Sequence, residues 1–196
     1  MPLTAPDIAW YMRCAMREER HQWITPNAVL YAWESDLLSV DRDGQVHEVE
    51  IKCSRADLKQ DLKKPKHSQG LLEHGSFLVK PAGVARSWGE EVEEARRLNG
   101  AVHCRRPNFF SFAMPCRVFR LNPPIQLPAY AGVYTVDEQG RIKVERSPKP
   151  LHGKRIASKE LLTLARRIHH RYWNELRRAR HAPESMLPDR EGVFGQ

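Results

Sequence analysis

Within "WESDLLSVDRDGQVHEVEIKCSRADLKQDLKKPKH", residues 33–67, Glu50 and Lys52 flank Ile51 in an otherwise apolar run. Side chains on a strand alternate faces, so a strand here would aim the carboxylate and the amine the same way, with Ile51 opposite. Asp36 begins the preceding strand-like run, and Asp41-Arg42-Asp43-Gly44 between the two runs is a hairpin signal. The hairpin would bring Asp36 beside Glu50, so that two carboxylates and one amine converge at a sheet end. Two hard carboxylates can hold Mg²⁺ or Mn²⁺, which polarises a phosphate and activates a water. The lysine can orient that water or neutralise charge developing on the phosphate.

An isolated Glu-x-Lys is most simply a surface ion pair. Asp36, the hairpin and the following helix with its basic end set this one apart. The same spacing recurs in Asp57-Leu58-Lys59 and Asp61-Leu62-Lys63. Both fall on an expected helix, where a separation of two puts side chains on roughly opposite faces.

The elements that must position these residues can be read from periodicity and capping. Ile8, Ala9, Met12, Ala15 and Met16 have helical spacing over residues 6–20, and a first strand is expected near residues 23–32. "SDLLSV" and "QVHEVEIKC" supply the hairpin strands. Ser54 caps a helix, with Asp57 three positions on as a capping group; Leu58 and Leu62 face inward, and Pro65 marks its end. "SFLVKP" (76–81) and "NFFSFAMP" (108–115) both read as strands. Between them "SWGEEVEEARRLNG" reads as a helix opened by Ser87 and Glu90. "AGVYTVDEQGRIKVE" is a second hairpin, a last helix spans Ser158 to His181, and residues 184–196 form a tail. The order gives an α/β or α+β fold, in a single domain over residues 1–183 with an insert at about 68–106.

The chain has 196 residues, 41% hydrophobic and 29% charged, with a formal net charge of +8. One core is the natural content of that length. No apolar run suits a membrane span, and "MPLTAPDIAW" lacks the basic-then-apolar order of a signal peptide, so the expectation is a cytoplasmic protein. The cysteines (Cys14, Cys53, Cys104, Cys116) are scattered. His103-Cys104 with Cys116 lacks the second short-spaced pair of a zinc site, which leaves packed thiols as the reading.

The positive charge favours a polyanionic partner. Lys63, Lys64, Lys66 and His67 cluster just past the central motif. The last helix carries seven basic residues (Lys159, Arg166, Arg167, Arg171, Arg177, Arg178, Arg180) against Glu160 and Glu175. Leu161, Leu164, Ala165, Ile168, Tyr172 and Leu176 form its apolar stripe, so the arginines are expected outward, gripping a nucleic-acid backbone. His169 and His170 are neighbours and so lie on different faces.

Asp36-(x13)-Glu50-Ile51-Lys52, set in α-β-β-β-α order, resembles the PD-(D/E)XK nuclease superfamily. "EIKCSRADLKQDLKKPKH" is similar to the MmcB-like DNA-repair family and related phage-type proteins, whose core runs E-x-K-[ST]-S-x-x-D-F-x-x-D before a basic segment. "PNFFSFAMP" and "LPAYAGVYTV" resemble that family's aromatic strand ending in proline and its following hairpin. The resemblance covers roughly residues 5–67 and 107–137. It implies a restriction-endonuclease-like mixed sheet with an α-β-β-β-α-β core. It also implies a Mg²⁺- or Mn²⁺-dependent nuclease hydrolysing phosphodiester bonds in DNA, with RNA sharing the backbone chemistry, in repair or phage DNA processing.

By the same resemblance Asp36, Glu50 and Lys52 are catalytic, and Asp36 and Glu50 hold the metal. Glu34, on the Asp36 face, and Glu18 or Glu19 of the first helix are further candidate ligands. Ser35 replaces the proline of the family's name. The insert leaves open whether residues 76–81 or 108–115 supply the strand after the helix. Asp61 reads by default as an exposed helix acid. Nothing in the sequence fixes the oligomeric state, and a site built for one strand can work as a homodimer. A different class of function, a non-catalytic nucleic-acid-binding repair accessory on the same fold, would be marked by loss of Glu50 or Lys52, and both are present.

Overall fold

The computed structural model describes residues 2–31, 33–67, 71 and 106–181. The chain divides into two units, residues 1–157 and 158–196. The first begins with α1 (Ala5–Glu18). The Thr4 hydroxyl accepts from the Asp7 amide, and the Asp7 carboxylate accepts from the Thr4 amide, a reciprocal cap at the helix start. Ile8, Met12 and Met16, one turn apart, form its buried stripe.

Three antiparallel strands follow: β1 (His21–Val29), β2 (Glu34–Asp41) and β3 (Val46–Ile51). β1 starts and stops earlier than the apolar run suggests. It tolerates Pro26, which has no N–H to give, because it lies at the edge of the sheet. Gly44 takes the left-handed conformation in the β2–β3 turn (φ +74°), and the Asp41 carboxylate accepts from the Asp43 and Gln45 amides. Ser54 caps α2 (Arg55–Asp61) by accepting from the Asp57 amide.

β4 (Phe109–Pro115) then lies parallel to β3, a short α3 (Cys116–Phe119) follows, and β5 (Gly132–Val136) runs parallel to β4. β6 (Ile142–Arg146) closes the sheet antiparallel to β5. Among the described residues six strands stand in chain order, a mixed sheet in an α+β architecture. Of the two runs that could follow α2, Phe109–Pro115 occupies the place beside β3. "SFLVKP" and the acidic helix after it lie outside the described residues. A strand flanked on both sides by parallel neighbours is covered on both faces, and β4 is buried along nearly its whole length.

The alternation of β3 sorts the chemistry from the packing. Val49 and Ile51 pack with Leu37, Ala113 and the stripe of α1. Glu48, Glu50 and Lys52 share the opposite face, where Leu58, Phe110, Phe112 and Tyr130 form the second apolar cluster. The second unit contains α4 (Ser158–His181), with the bounds read from the sequence.

Asn108 ties the entry of β4 to the start of β3. Its side chain, itself 1% exposed, accepts from the buried Val46 amide at 2.8 Å and donates to the carbonyls of Lys154 and His152 at 2.8 and 3.0 Å. Asn108→Ala leaves the buried Val46 amide without this acceptor and removes the donor to both carbonyls. It should lower stability by roughly 2–4 kcal/mol in urea denaturation, where a loss under about 0.5 kcal/mol would contradict this role.

Candidate active site

β2 and β3 pair with Leu37 opposite Val49 and Leu38 opposite Glu48, a register that continues to place Asp36 opposite Glu50. The Ile51 amide donates to Asp36 Oδ2 at 2.7 Å. Lys52 Nζ lies 2.8 Å from Glu50 Oε2 and 3.6 Å from Asp36 Oδ2. The Lys52 backbone is held by its N–H donating to the Ala113 carbonyl on β4, at 2.9 Å. Glu50 and Lys52 are buried, whereas the Asp36 side chain is 40% exposed. The three residues picked from spacing do converge at one end of the sheet.

The structure adds residues that the sequence reading placed elsewhere. Asp61, expected on an exposed helix face, is 1% exposed. It comes from the last turn of α2 to within 3.3 Å of Lys52 Nζ. Lys66 and His67, read with the outward basic residues, are buried too. Lys66 Nζ donates to Glu50 Oε1 at 2.5 Å and lies 3.8 Å from carboxylate oxygens of both Glu48 and Asp61. His67 bridges Asp61 Oδ2 and the Tyr130 hydroxyl, each at 2.8 Å. Glu48 Oε1 accepts from the Trp33 indole N–H at 2.6 Å. Glu48 shares the two-residue period of Glu50 and Lys52, and that period was the available signal for it. Lys63 and Lys64 are exposed as expected, although the Lys64 ammonium reaches Asp61 Oδ1 at 2.5 Å.

Other expected ligands fall away from the cluster. Glu34 is exposed at the head of β2. Glu18 and Glu19 lie at the far end of α1, where the charge of Glu19 acts on His47 at the opposite end of β3 from Glu50. It is the first turns of α1, not its last, that approach Asp36: Pro6, Trp10 and Arg13 line a cleft with it. Arg166, Arg167, Arg177 and Arg178 are exposed on α4, and Arg171 is half-buried. Among the described cysteines, Cys14, Cys53 and Cys116 are free; His103 and Cys104 lie outside the described residues.

Charge dominates this site. Burial, then the nearby Glu50 carboxylate, raises Asp36 above the ordinary range, against the opposing pull of the Ile51 amide and Lys52. Burial pushes Glu48 up to about 7, and Glu50 adds to this. Burial acts to raise Asp61 as well, but His67, Lys66, Lys64 and Lys52 together hold it well below the usual carboxylate range. Burial acts to lower Lys52, and Glu50, Asp61 and Asp36 overcome it, so the ammonium stays charged well above the ordinary lysine value. Among the described residues, Glu48 Oε2 has no hydrogen-bond partner. Asp61 Oδ1 has none of hydrogen-bond geometry either, although two ammonium groups stand within ion-pair range of it.

Two carboxylates facing each other across adjacent strands, one of them open to solvent, are a donor set that suits a hard divalent cation. Mg²⁺ is commonly held by one or two carboxylates, with water and substrate phosphate completing its shell. No group of three or more His, Cys, Asp or Glu side chains is placed to hold a metal ion among the described residues. The fit therefore rests on Asp36 and Glu50 alone, and both oxygens of Glu50 are engaged by lysines.

No protein-family model and no curated protein matches the chain. Among solved structures, a protein of unknown function from Silicibacter pomeroyi is similar over 100% of both chains, with a TM-score of 0.52 at 16% identity. That likeness is one of fold.

Two stability measurements separate the roles of the buried acids. Asp61→Asn removes the charge that offsets Lys52, Lys66 and Lys64, and should cost about 3–5 kcal/mol at neutral pH; a loss below about 1 kcal/mol would show the ion pairs to be incidental. Glu48 has the opposite sign. Between its ordinary 4.5 and about 7 the folded chain holds this proton more tightly than the unfolded one. Its contribution to stability therefore falls as pH rises through that window, by at most roughly 3 kcal/mol. Glu48→Gln should flatten that decline and raise the melting temperature at pH 8; an unchanged profile would mean that Glu48 titrates normally.

Proposed function

We propose that this protein is a metal-dependent nuclease that hydrolyses phosphodiester bonds in DNA, acting in the cytoplasm in repair or phage DNA processing, on a restriction-endonuclease-like arrangement of its mixed sheet. The observation that carries the reading is the convergence of Asp36, Glu50 and Lys52 at one sheet end, with Asp36 facing solvent. Asp36 and Glu50 are the residues that would hold Mg²⁺ or Mn²⁺. The ion, when bound, supplies Lewis-acid polarisation of the phosphate and lowers the pKa of a water.

The rest is the work of the chain itself. Lys52 stays protonated because three carboxylates surround it, so it serves as a fixed cation and hydrogen-bond donor to a phosphate oxygen as negative charge builds there. It does not serve as a base. Lys66 and Lys52 grip the two oxygens of Glu50 and set its orientation. Asp61 anchors both lysines, and His67 with Tyr130 anchors Asp61. Lys63 and Lys64 in the first unit, and separately the exposed arginines of α4 in the second, are basic groups suited to backbone phosphates.

One observation favours a second reading, a DNA-binding accessory without catalysis: both Glu50 oxygens are already in lysine ion pairs. Labelled single-stranded, duplex and branched DNA with Mg²⁺ or Mn²⁺ distinguishes the two. The nuclease reading expects cleavage that stops with chelator and falls at least about 100-fold in Lys52→Ala and in Asp36→Asn. Salt-sensitive binding by the wild type with no cleavage under either metal would establish the accessory reading.

A further inference from the structure

Asp36 is the most exposed of the carboxylates that meet at the buried cluster. Glu48, Glu50, Lys52, Asp61, Lys66 and His67 are each at most 5% exposed, whereas the Asp36 side chain is 40% exposed. Asp36 is thus the carboxylate of the cluster most accessible to a ligand, and what surrounds it bears on what can approach. Asp36 lines a cleft of about 370 Å³ together with Pro6, Trp10, Arg13, Pro26 and Asn27. That volume is within the range of sites that enclose small organic groups.

Trp10 is out of place as packing. Its neighbours on α1, Ile8 and Met12, are buried, whereas Trp10 stands 58% exposed on the cleft wall. The Arg13 guanidinium, one turn on, lies 5.2 Å from the centre of the indole ring. It steadies the ring by a cation–π contact and places a positive charge on the same wall. An exposed indole, a guanidinium beside it and a catalytic carboxylate in one cleft match the two chemistries of a nucleotide, with a flat π-face for the base and a cation for the phosphate. Bases in a duplex have both faces stacked and cannot lie on an indole; unpaired bases can.

We propose that the Trp10–Arg13 wall is a stacking platform for single-stranded DNA. It holds an unpaired base on Trp10 and its phosphate near Arg13, and so presents the adjoining backbone at Asp36. This rests on the nuclease reading of Asp36, and it selects the substrate: an unpaired stretch, rather than an intact duplex, enters the site. The basic α4 grips nucleic acid without regard to pairing, whereas the Trp10 wall supplies the preference for single strands.

The test is fluorescence anisotropy of the full chain with a fluorescein-labelled oligothymidylate and a blunt duplex of equal length, in EDTA so that binding is read without cleavage. Trp10→Ala should weaken single-strand binding roughly tenfold, the loss of one base–aromatic stack, and change duplex binding less than about twofold. Trp10→Phe, which keeps a stacking face, should recover most of the affinity, and both variants should keep the wild-type circular dichroism. Arg13→Gln should reduce the slope of log affinity against log salt for the single strand by about 0.7, one phosphate contact.

Trp10→Ala binding oligothymidylate within twofold of wild type would overturn the platform. So would equal losses on single strand and duplex. The two readings fail separately. Metal-dependent cleavage by the wild type with no dependence of binding on Trp10 removes the platform and leaves the nuclease. Trp10-dependent single-strand binding in a wild type that never cleaves leaves the platform and removes the nuclease.

Discussion

The structure depends on one buried ammonium group. Lys52 follows directly on β3 and meets carboxylates from three different segments: Glu50 two residues before it, Asp36 on the adjacent strand and Asp61 at the end of α2. A lone lysine at 4% exposure would lose its proton or destabilise the fold by several kcal/mol. It is tolerated because β2, β3 and α2 are fixed relative to one another by apolar packing elsewhere, so the acids arrive without further ordering. The same requirement runs in reverse. Asp36 and Glu50 oppose each other across two strands, and the lysines are what let that register stand.

This arrangement explains the sheet's order. β3 lies third of six, with β4 parallel beside it and apolar clusters on both faces. Burial raises the effective strength of every charge interaction at that end, which is what a site needs if it is to stabilise charge that develops during a reaction. The opening at Asp36 is the complement: a wholly sealed cluster would be a structural ion network and nothing more. The first turns of α1 shape this opening, so the helix whose buried stripe packs the far face of β3 also forms the wall of the entrance.

Much of this was legible in the chain, and the reason is local physics. Ser54 announced its helix start because caps are short-range, and Asp43-Gly44 announced the hairpin because a left-handed residue is needed there. Alternation placed Glu50 and Lys52 on one face, and the hairpin carried Asp36 to them. What escaped depends on contacts distant in sequence. Asp61, Lys66 and His67 look like solvated helix-end charges until α2 is laid against the sheet, where Tyr130 and Glu50 supply their partners. The choice between residues 76–81 and 108–115 was equally non-local, since both runs have strand composition and the pairing with β3 decides. The glutamates of the first helix failed for a simpler reason: the direction of α1 brings its start, and not Glu18 or Glu19, to Asp36.

The proposed function requires a cation site at Asp36 and Glu50 beside the charged Lys52. Titrating Mn²⁺ into the protein while following the free-ion electron paramagnetic resonance signal tests it without any nucleic acid or turnover. The account predicts one bound ion per chain, weakened as pH falls because protons compete for the raised Asp36 carboxylate, and abolished in Asp36→Asn with the fold intact. Mn²⁺ binding that is absent from the wild type, or unchanged in Asp36→Asn, would contradict it.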